Sequence, residues 1–271
     1  MFFKTISMNR IWLLGGLLIL LTVACKANAA AQDKTSGSDG LAAPAWTFPK
    51  REKLVFRLKW LGIPAGEITT EIRGVEDIRG RKAYVIEVHA RTIGFCSTLY
   101  KIDDRYVSYM DVEELHALRF EERRREGSYK KDAVTDFDQE EHKAYFKSLT
   151  DGSQKVIAIP PHVQDTITAA YFARTTSLQA GRPLELKVLN SEKVYDIFMT
   201  DTARTFINVP HLGRKAVYRI APMGKFNGKQ VREGRMSGYV DVDPGHVPYY
   251  IVIKAPVFTK VTAILVKKEV E

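Results

Sequence analysis

The sequence predicts a mainly β fold: an antiparallel curved sheet or barrel-like β domain with one main α-helix. Three observations carry this. From Glu52 almost to the C-terminus, apolar residues alternate with polar ones, the period of half-buried strands. The alternating segments are short and separated by turn-forming residues, the layout of an antiparallel sandwich or barrel. One stretch breaks the pattern: Gln164 to Leu178 has no Gly or Pro and carries apolar residues at helical spacing.

The elements follow in order. Leu54, Phe56, Leu58 and Trp60 alternate with polar neighbours and form a first strand, and Gly62-Ile63-Pro64 turns the chain. Gly66, Ile68, Thr70 and Ile72 give a second strand, Asp77 to Lys82 a hairpin loop, and Tyr84, Ile86, Val88 and Ala90 a third. Arg105 to Asp111 reads as a strand with Val107 and Tyr109 on one side. Glu113 to Gly127 is rich in both charges. It fits a helix with close opposite-charge pairs or an exposed strand, and the hairpin-like turns Asp138-Gln139 and Asp151-Gly152 that follow favour strand. Pro160-Pro161-His162-Val163 ends the strand series. Helix Gln164 to Leu178 is expected to pack through Ile167, Ala170 and Tyr171, with Asp165 at its start and Gly181 as a stop signal. Strands then resume at Leu184, Val194, Arg204, Lys215, Arg235, Tyr249 and Thr259. No fixed-period repeat and no second domain is visible, so the helix is placed to divide two halves of one sheet.

Composition narrows the class. Of 271 residues, 45% are hydrophobic and 27% charged, which suits a globular chain large enough to bury a core without disulfides. The only long apolar run is N-terminal, which excludes a polytopic membrane protein. The 41 Lys and Arg exceed the 32 Asp and Glu, for a net charge of +9. Basic and acidic residues are interleaved, so no nucleic-acid partner is expected; attraction to anionic lipid or polysaccharide fits better.

The N-terminus carries a targeting pattern. Lys4 and Arg10 precede an apolar run, Ile11 to Val23, which has the length of a signal-peptide core and falls short of a membrane span. Two cleavage readings stay open. Thr22-Val23-Ala24-Cys25 resembles a lipobox, which makes Cys25 the lipidation candidate; Ala27-Asn28-Ala29 fits ordinary signal peptidase. Residues 1–24 are therefore expected as signal peptide, 25–51 as a flexible tether, and 52–271 as a single β-rich domain. Lys26 after the cysteine resembles the sorting signal of outer-membrane lipoproteins, which implies a periplasmic protein anchored there. Without Lys4 and Arg10, 39 basic against 32 acidic residues leave about +7.

Catalytic patterns are missing. There is no nucleophile elbow, no Walker loop, no dinucleotide-binding glycine motif and no His-Glu-x-x-His. No catalytic residue and no cofactor is expected. The six histidines are scattered, so sequence spacing supplies no metal set, and only a zinc site assembled in space stays open. Asp165 is read as a cap and His162 as a loop residue, Asp103-Asp104 as a solvated turn, and Cys96 as a small packing residue. Arg123-Arg124-Arg125 with Lys130-Lys131 is read as a solvated strand face and turn.

Several blocks together resemble a known family: Ala65-Gly66, Tyr100 to Asp111, Pro160-Pro161 with Asp165, Ala169-Ala170-Tyr171 and Arg174, Gly181, Lys193 and Tyr195, and Gly238 to Asp243 with Pro248. Over residues 52 to 268 the chain resembles the bacterial exported family catalogued as domain of unknown function 3108. The resemblance implies an exported, mostly β protein with a curved sheet or barrel, and implies no activity.

Three functions remain in view. The first is a non-catalytic binding or carrier protein for an apolar, lipid-like or amphipathic ligand, lined by Phe56, Trp60, Ile68, Ile72, Tyr84, Ile86 and Val88. The second is an envelope assembly factor in which those residues fill a core. The third is an envelope polysaccharide enzyme. A large apolar cavity favours the first and a filled core the second.

Overall fold

The computed structural model describes residues 46–176, 183–201, 204–231, 235–255 and 259–271. The segment expected as signal peptide, Cys25, most of the expected tether and Gly181 lie outside the described residues. Before the helix the chain forms β1 (Glu52–Trp60), β2 (Ile63–Ile78), β3 (Arg81–Thr92), a short α1 (Gly94–Leu99), β4 (Asp103–Asp111), β5 (Ala117–Glu126), β6 (Tyr129–Asp138), β7 (Lys143–Ser148) and β8 (Gln154–Ala158). After α2 (Thr166–Thr175) come β9 (Leu184–Asn190), β10 (Lys193–Asp201), β11 (Thr205–Val209), β12 (Gly213–Phe226), β13 (Lys229–Gln230), β14 (Arg235–Asp241), β15 (Pro248–Ala255) and β16 (Thr259–Val270).

These strands build one curved antiparallel sheet. Sequential strands pair as a meander from β1 to β8, and β1 also pairs with β16, so the first and last strands meet in its middle. The sheet is unclosed. Its two edges are β8 and β9, the strands that flank α2 in the chain. Pro160 and Pro161 have no N–H to continue a ladder, and the chain leaves the sheet there. Val163 and Gln164 then bridge part of the gap. Ala117 N–H donates to the Val163 carbonyl at 3.3 Å, Gln164 N–H donates to Lys187 O at 2.8 Å, and Leu189 N–H donates to Gln164 O at 2.8 Å. Across the open edges, Lys155 Nζ on β8 lies 2.6 Å from Glu192 Oε2 in the β9–β10 turn.

Helix α2 sits inside the curve. Asp165 Oδ1 accepts from Ile167 N–H at 2.7 Å and Thr168 N–H at 2.9 Å, and the Thr168 hydroxyl accepts from Asp165 N–H, a capping box. Ile167, Tyr171 and Phe172 join the main core, and Ala169 faces Val188, Tyr195 and Ile197. This corrects the expected packing face: Ala170 is exposed and Ala169 buried. A helix wrapped by a sheet buries most of its circumference, so a single-stripe reading misplaces one residue.

Arg174 fastens the helix. Its guanidinium makes two bonds to Glu52, Nη1–Oε2 at 2.6 Å and Nη2–Oε1 at 2.8 Å, and Nε donates to Gly245 O at 2.8 Å. Trp46, Phe48 and Tyr171 surround it with their rings. Gly245 has φ +91°, and a Cβ there would lie 2.8 Å from the Trp46 ring. Trp46 and Phe48, in the segment read as tether, pack on the core.

Phe56, Ile68, Ile72, Ile86 and Val88 are buried together, and Trp60 and Tyr84 pack against them. Over this part of the sheet the core is filled. Two details depart from expectation. The first turn falls at Leu61-Gly62, with φ +50° and +90°. Pro64 lies within β2 opposite Lys59, beside a register shift, where a missing donor is tolerated. Glu113 to Gly127 contributes β5, as favoured.

Candidate functional site

A cavity lies beside the filled core, on the inner face of β4 to β8 and against the first turn of α2, with Tyr106 and Ile167 shared between the two. Its volume is about 220 Å³. Phe120, Phe137, Phe146, Ile157, Ile167 and Leu189 form its apolar wall. Tyr106, Glu122, Arg124, Lys131, Thr135 and Asp165 supply polar groups, and Asn190, Ser191 and Glu192 close it from the β9–β10 turn. Residues of both edge strands line it, Ile157 on β8 and Leu189 on β9.

Strand parity explains how charges reach this interior. On β5, Phe120, Glu122, Arg124 and Glu126 alternate toward the inside, and Arg123 is exposed. On β6, Lys131 and Thr135 share the inner face with Phe137. The basic stretch read as a solvated face is therefore split. Arg125 pairs on the other face with Asp132, Nη2–Oδ2 at 2.7 Å, whereas Arg124 and Lys131 turn into the cavity. Both are matched by acids. Arg124 Nε donates to Glu126 Oε1 at 2.7 Å, and Lys131 pairs with Glu122. Lys131 Nζ also lies 5.2 Å from the Phe146 ring centroid.

The Asp103-Asp104 pair is split the same way, which corrects the reading of a solvated turn. Asp103 is exposed and contacts His89 Nε2 at 2.7 Å; that contact holds its carboxyl below the usual range. Asp104 is buried, and its Oδ1 accepts from Arg125 N–H at 2.6 Å. Burial first, and then the neighbouring Glu126, push Asp104 up to about 6. Glu126 is also buried, and its Oε2 has no protein donor in hydrogen-bonding geometry.

Asp165 is both a cap and a cavity residue. Besides its helix bonds it accepts from Ser108 Oγ at 2.5 Å. Complete burial outweighs these bonds and pushes it up to about 6. His162 stays in the loop with φ +52° and does not pair with Asp165; its Nδ1 lies 3.9 Å from Glu114 Oε2. His116 packs beside it with ring centroids 5.7 Å apart, and burial pushes His116 down to about 4. Cys96 is buried and free in α1.

The residues that carry the family resemblance turn out to hold the frame. Gly66 is packed so closely that a Cβ would lie 2.7 Å from Arg91 O. Asp165, Tyr171 and Arg174 cap and fasten α2, and Tyr195 is buried behind it. Sequence reasoning missed Glu122, Asp104 and Glu126 as interior groups. The alternation that places them was visible, but charges on a strand read as outward by default.

An open antiparallel β-barrel-like protein plugged by one helix is the class this architecture defines. Residues 55–265 match the family model described as protein of unknown function, DUF3108, and the chain belongs to that family. No curated protein matches the chain. Among solved structures, the fold is similar to a β-barrel-like protein of domain of unknown function DUF1849 from Brucella abortus, with a TM-score of 0.61 at 8% identity, covering 83% of this chain and all of that one. A candidate exported protein with a YmcC-like fold from Bacteroides fragilis aligns at a TM-score of 0.36 and 6% identity over 84% of this chain and 100% of that one. A candidate lipoprotein from Parabacteroides distasonis aligns at 0.37 and 8% over 85% of this chain and 100% of that one.

Proposed function

We propose that the protein is an exported envelope protein that binds an amphipathic ligand in the cavity between β4–β8 and α2. The observation that carries this reading is a cavity lined by both aromatic and charged side chains, with Ile157 of β8 and Leu189 of β9 among them. Its 220 Å³ is below the roughly 300–1,000 Å³ of drug-sized pockets. It therefore suits a head group with a short apolar segment, not a whole lipid, unless the edges part. Arg124 and Lys131 are each paired with a carboxylate. A head group bearing both donors and acceptors can exchange with those pairs, whereas a simple anion meets Glu122 and Glu192 as well. The net positive charge of the chain alone had suggested an anionic head; the paired interior supports a zwitterionic one.

Export, a lipid anchor on Cys25 and a periplasmic position at the outer membrane belong to the same proposal, supported by the apolar run Ile11 to Val23 and the lipobox-like residues after it. A phosphatidylethanolamine probe with a short fluorescent acyl chain tests the cavity. Saturable binding, displaced by short-chain phosphatidylethanolamine and lost in Thr135→Phe, supports the reading; no saturable binding overturns it.

A second reading, an interaction factor, draws on the free β8 edge, where Val156 is 63% exposed and Tyr145 and Leu149 are exposed nearby. An unpaired edge is a template for strand addition. Crosslinking from position 156 in cells, yielding one defined protein adduct, would favour it.

A further inference from the structure

We propose that Glu114, His116 and His162 form a binding site for a zinc-class divalent cation, which clasps the β4–β5 turn to the loop that leads into α2. One ligand atom from each of the three side chains lies within 4.8 Å of the others. His116 is 95% buried by its 5% exposure, and neither ring nitrogen has a hydrogen-bond partner. Burying a polar ring with both nitrogens unmatched is costly. A cation between His116 and His162 supplies a partner for one of the two His116 nitrogens.

The surroundings hold the ligands in place. Asp111 Oδ1 accepts from Glu113 N–H at 2.8 Å and Glu114 N–H at 2.7 Å, which fixes the turn before His116. Asp111 N–H donates to His116 O at 2.9 Å. On the other side, Gln139 Nε2 donates to both Ala117 O and Val163 O, and Gln164 Nε2 donates to Leu115 O. The two loops are thus stapled on either side of the histidines, 46 positions apart in sequence.

Two imidazoles and a carboxylate are a zinc donor set, with a fourth position left for water or a further ligand. Zinc–nitrogen and zinc–oxygen distances of about 2.0–2.2 Å put tetrahedral ligand atoms about 3.3–3.6 Å apart. From the present limit of 4.8 Å the ligand atoms have up to about 1.5 Å to close, and Glu114 and His162 are both exposed and able to rotate. Imidazole also excludes magnesium, which takes oxygen ligands.

The test is metal titration of the full chain after chelator treatment, with Zn²⁺ and Mg²⁺ as probes, followed by calorimetry and elemental stoichiometry. We expect one Zn²⁺ per chain, a raised Tm on binding, and no response to Mg²⁺. His162→Asn keeps a residue that tolerates positive φ and lacks the imidazole. It should leave the metal-free Tm unchanged and weaken Zn²⁺ binding by more than about 100-fold, beyond the loss typical of outer-shell changes. Glu114→Gln should weaken it less. Equal Zn²⁺ uptake by wild type and His162→Asn, or equal affinity for Mg²⁺, overturns the proposal.

Discussion

Arg174→Met is the sharpest test of how the helix is held. The substitution keeps an unbranched apolar stem and removes the guanidinium. Glu52, 2% exposed, then loses both its bonds, and Gly245 O loses its donor. Breaking one side of a buried ion pair costs about 3–5 kcal/mol, because the remaining charge stays buried and unmatched. Replacing both partners removes that charge, so Glu52→Leu with Arg174→Met should cost less than Arg174→Met alone. The residual loss is about 1–3 kcal/mol for the unpaired carbonyl. Urea unfolding of the four proteins gives the coupling directly. A single substitution costing under about 1 kcal/mol, or strictly additive costs, would refute the idea that this pair is buried and anchors α2.

Other outcomes follow from the same geometry. Asp104 and Asp165 are held near 6, above the roughly 3.9 of an unfolded aspartate, so the folded state binds the extra protons. Stability should therefore fall as pH rises from about 4 through 6, by up to about 3 kcal/mol per group. Asp104→Asn should flatten this slope in urea unfolding between pH 4 and pH 7; an unchanged slope would count against the burial of Asp104. Gly66→Ala should cost about 1–3 kcal/mol by overpacking against Arg91 O, read as a lowered urea midpoint. Lys155→Ala breaks only the exposed bridge to Glu192 and should change stability by less than about 1 kcal/mol.

The β class, most strand positions and the helix were legible because alternation and helical spacing are local. Phe56, Ile68, Ile72, Ile86 and Val88 could be placed on one face without knowing what covered it. The filled core and the cavity could not be told apart, since both need apolar inward residues. They separate only when the sheet curves and α2 occupies one part of it. The sheet's connectivity was equally hidden: nothing in β8 and β9 marks them as edges, and nothing in β1 announces its pairing with β16. Asp104, Glu122 and Glu126 were misplaced because a charge normally faces water. Glu122 and Glu126 pair with Lys131 and Arg124, and Asp104 accepts from Arg125 N–H; these partners become readable only once the parity of β5 and β6 is fixed. Glu114, His116 and His162 come from two loops distant in sequence, so no spacing rule could join them.

The central claim is that the cavity holds an amphipathic molecule. Native mass spectrometry of protein purified without denaturation from the cells that make it is the decisive measurement, comparing wild type with Thr135→Phe, which fills the space from β6. We expect a discrete bound mass on wild type that is extractable as an amphiphile, and its loss in Thr135→Phe at matched thermal stability. A bare polypeptide mass in both proteins, or the same adduct in both, would contradict it.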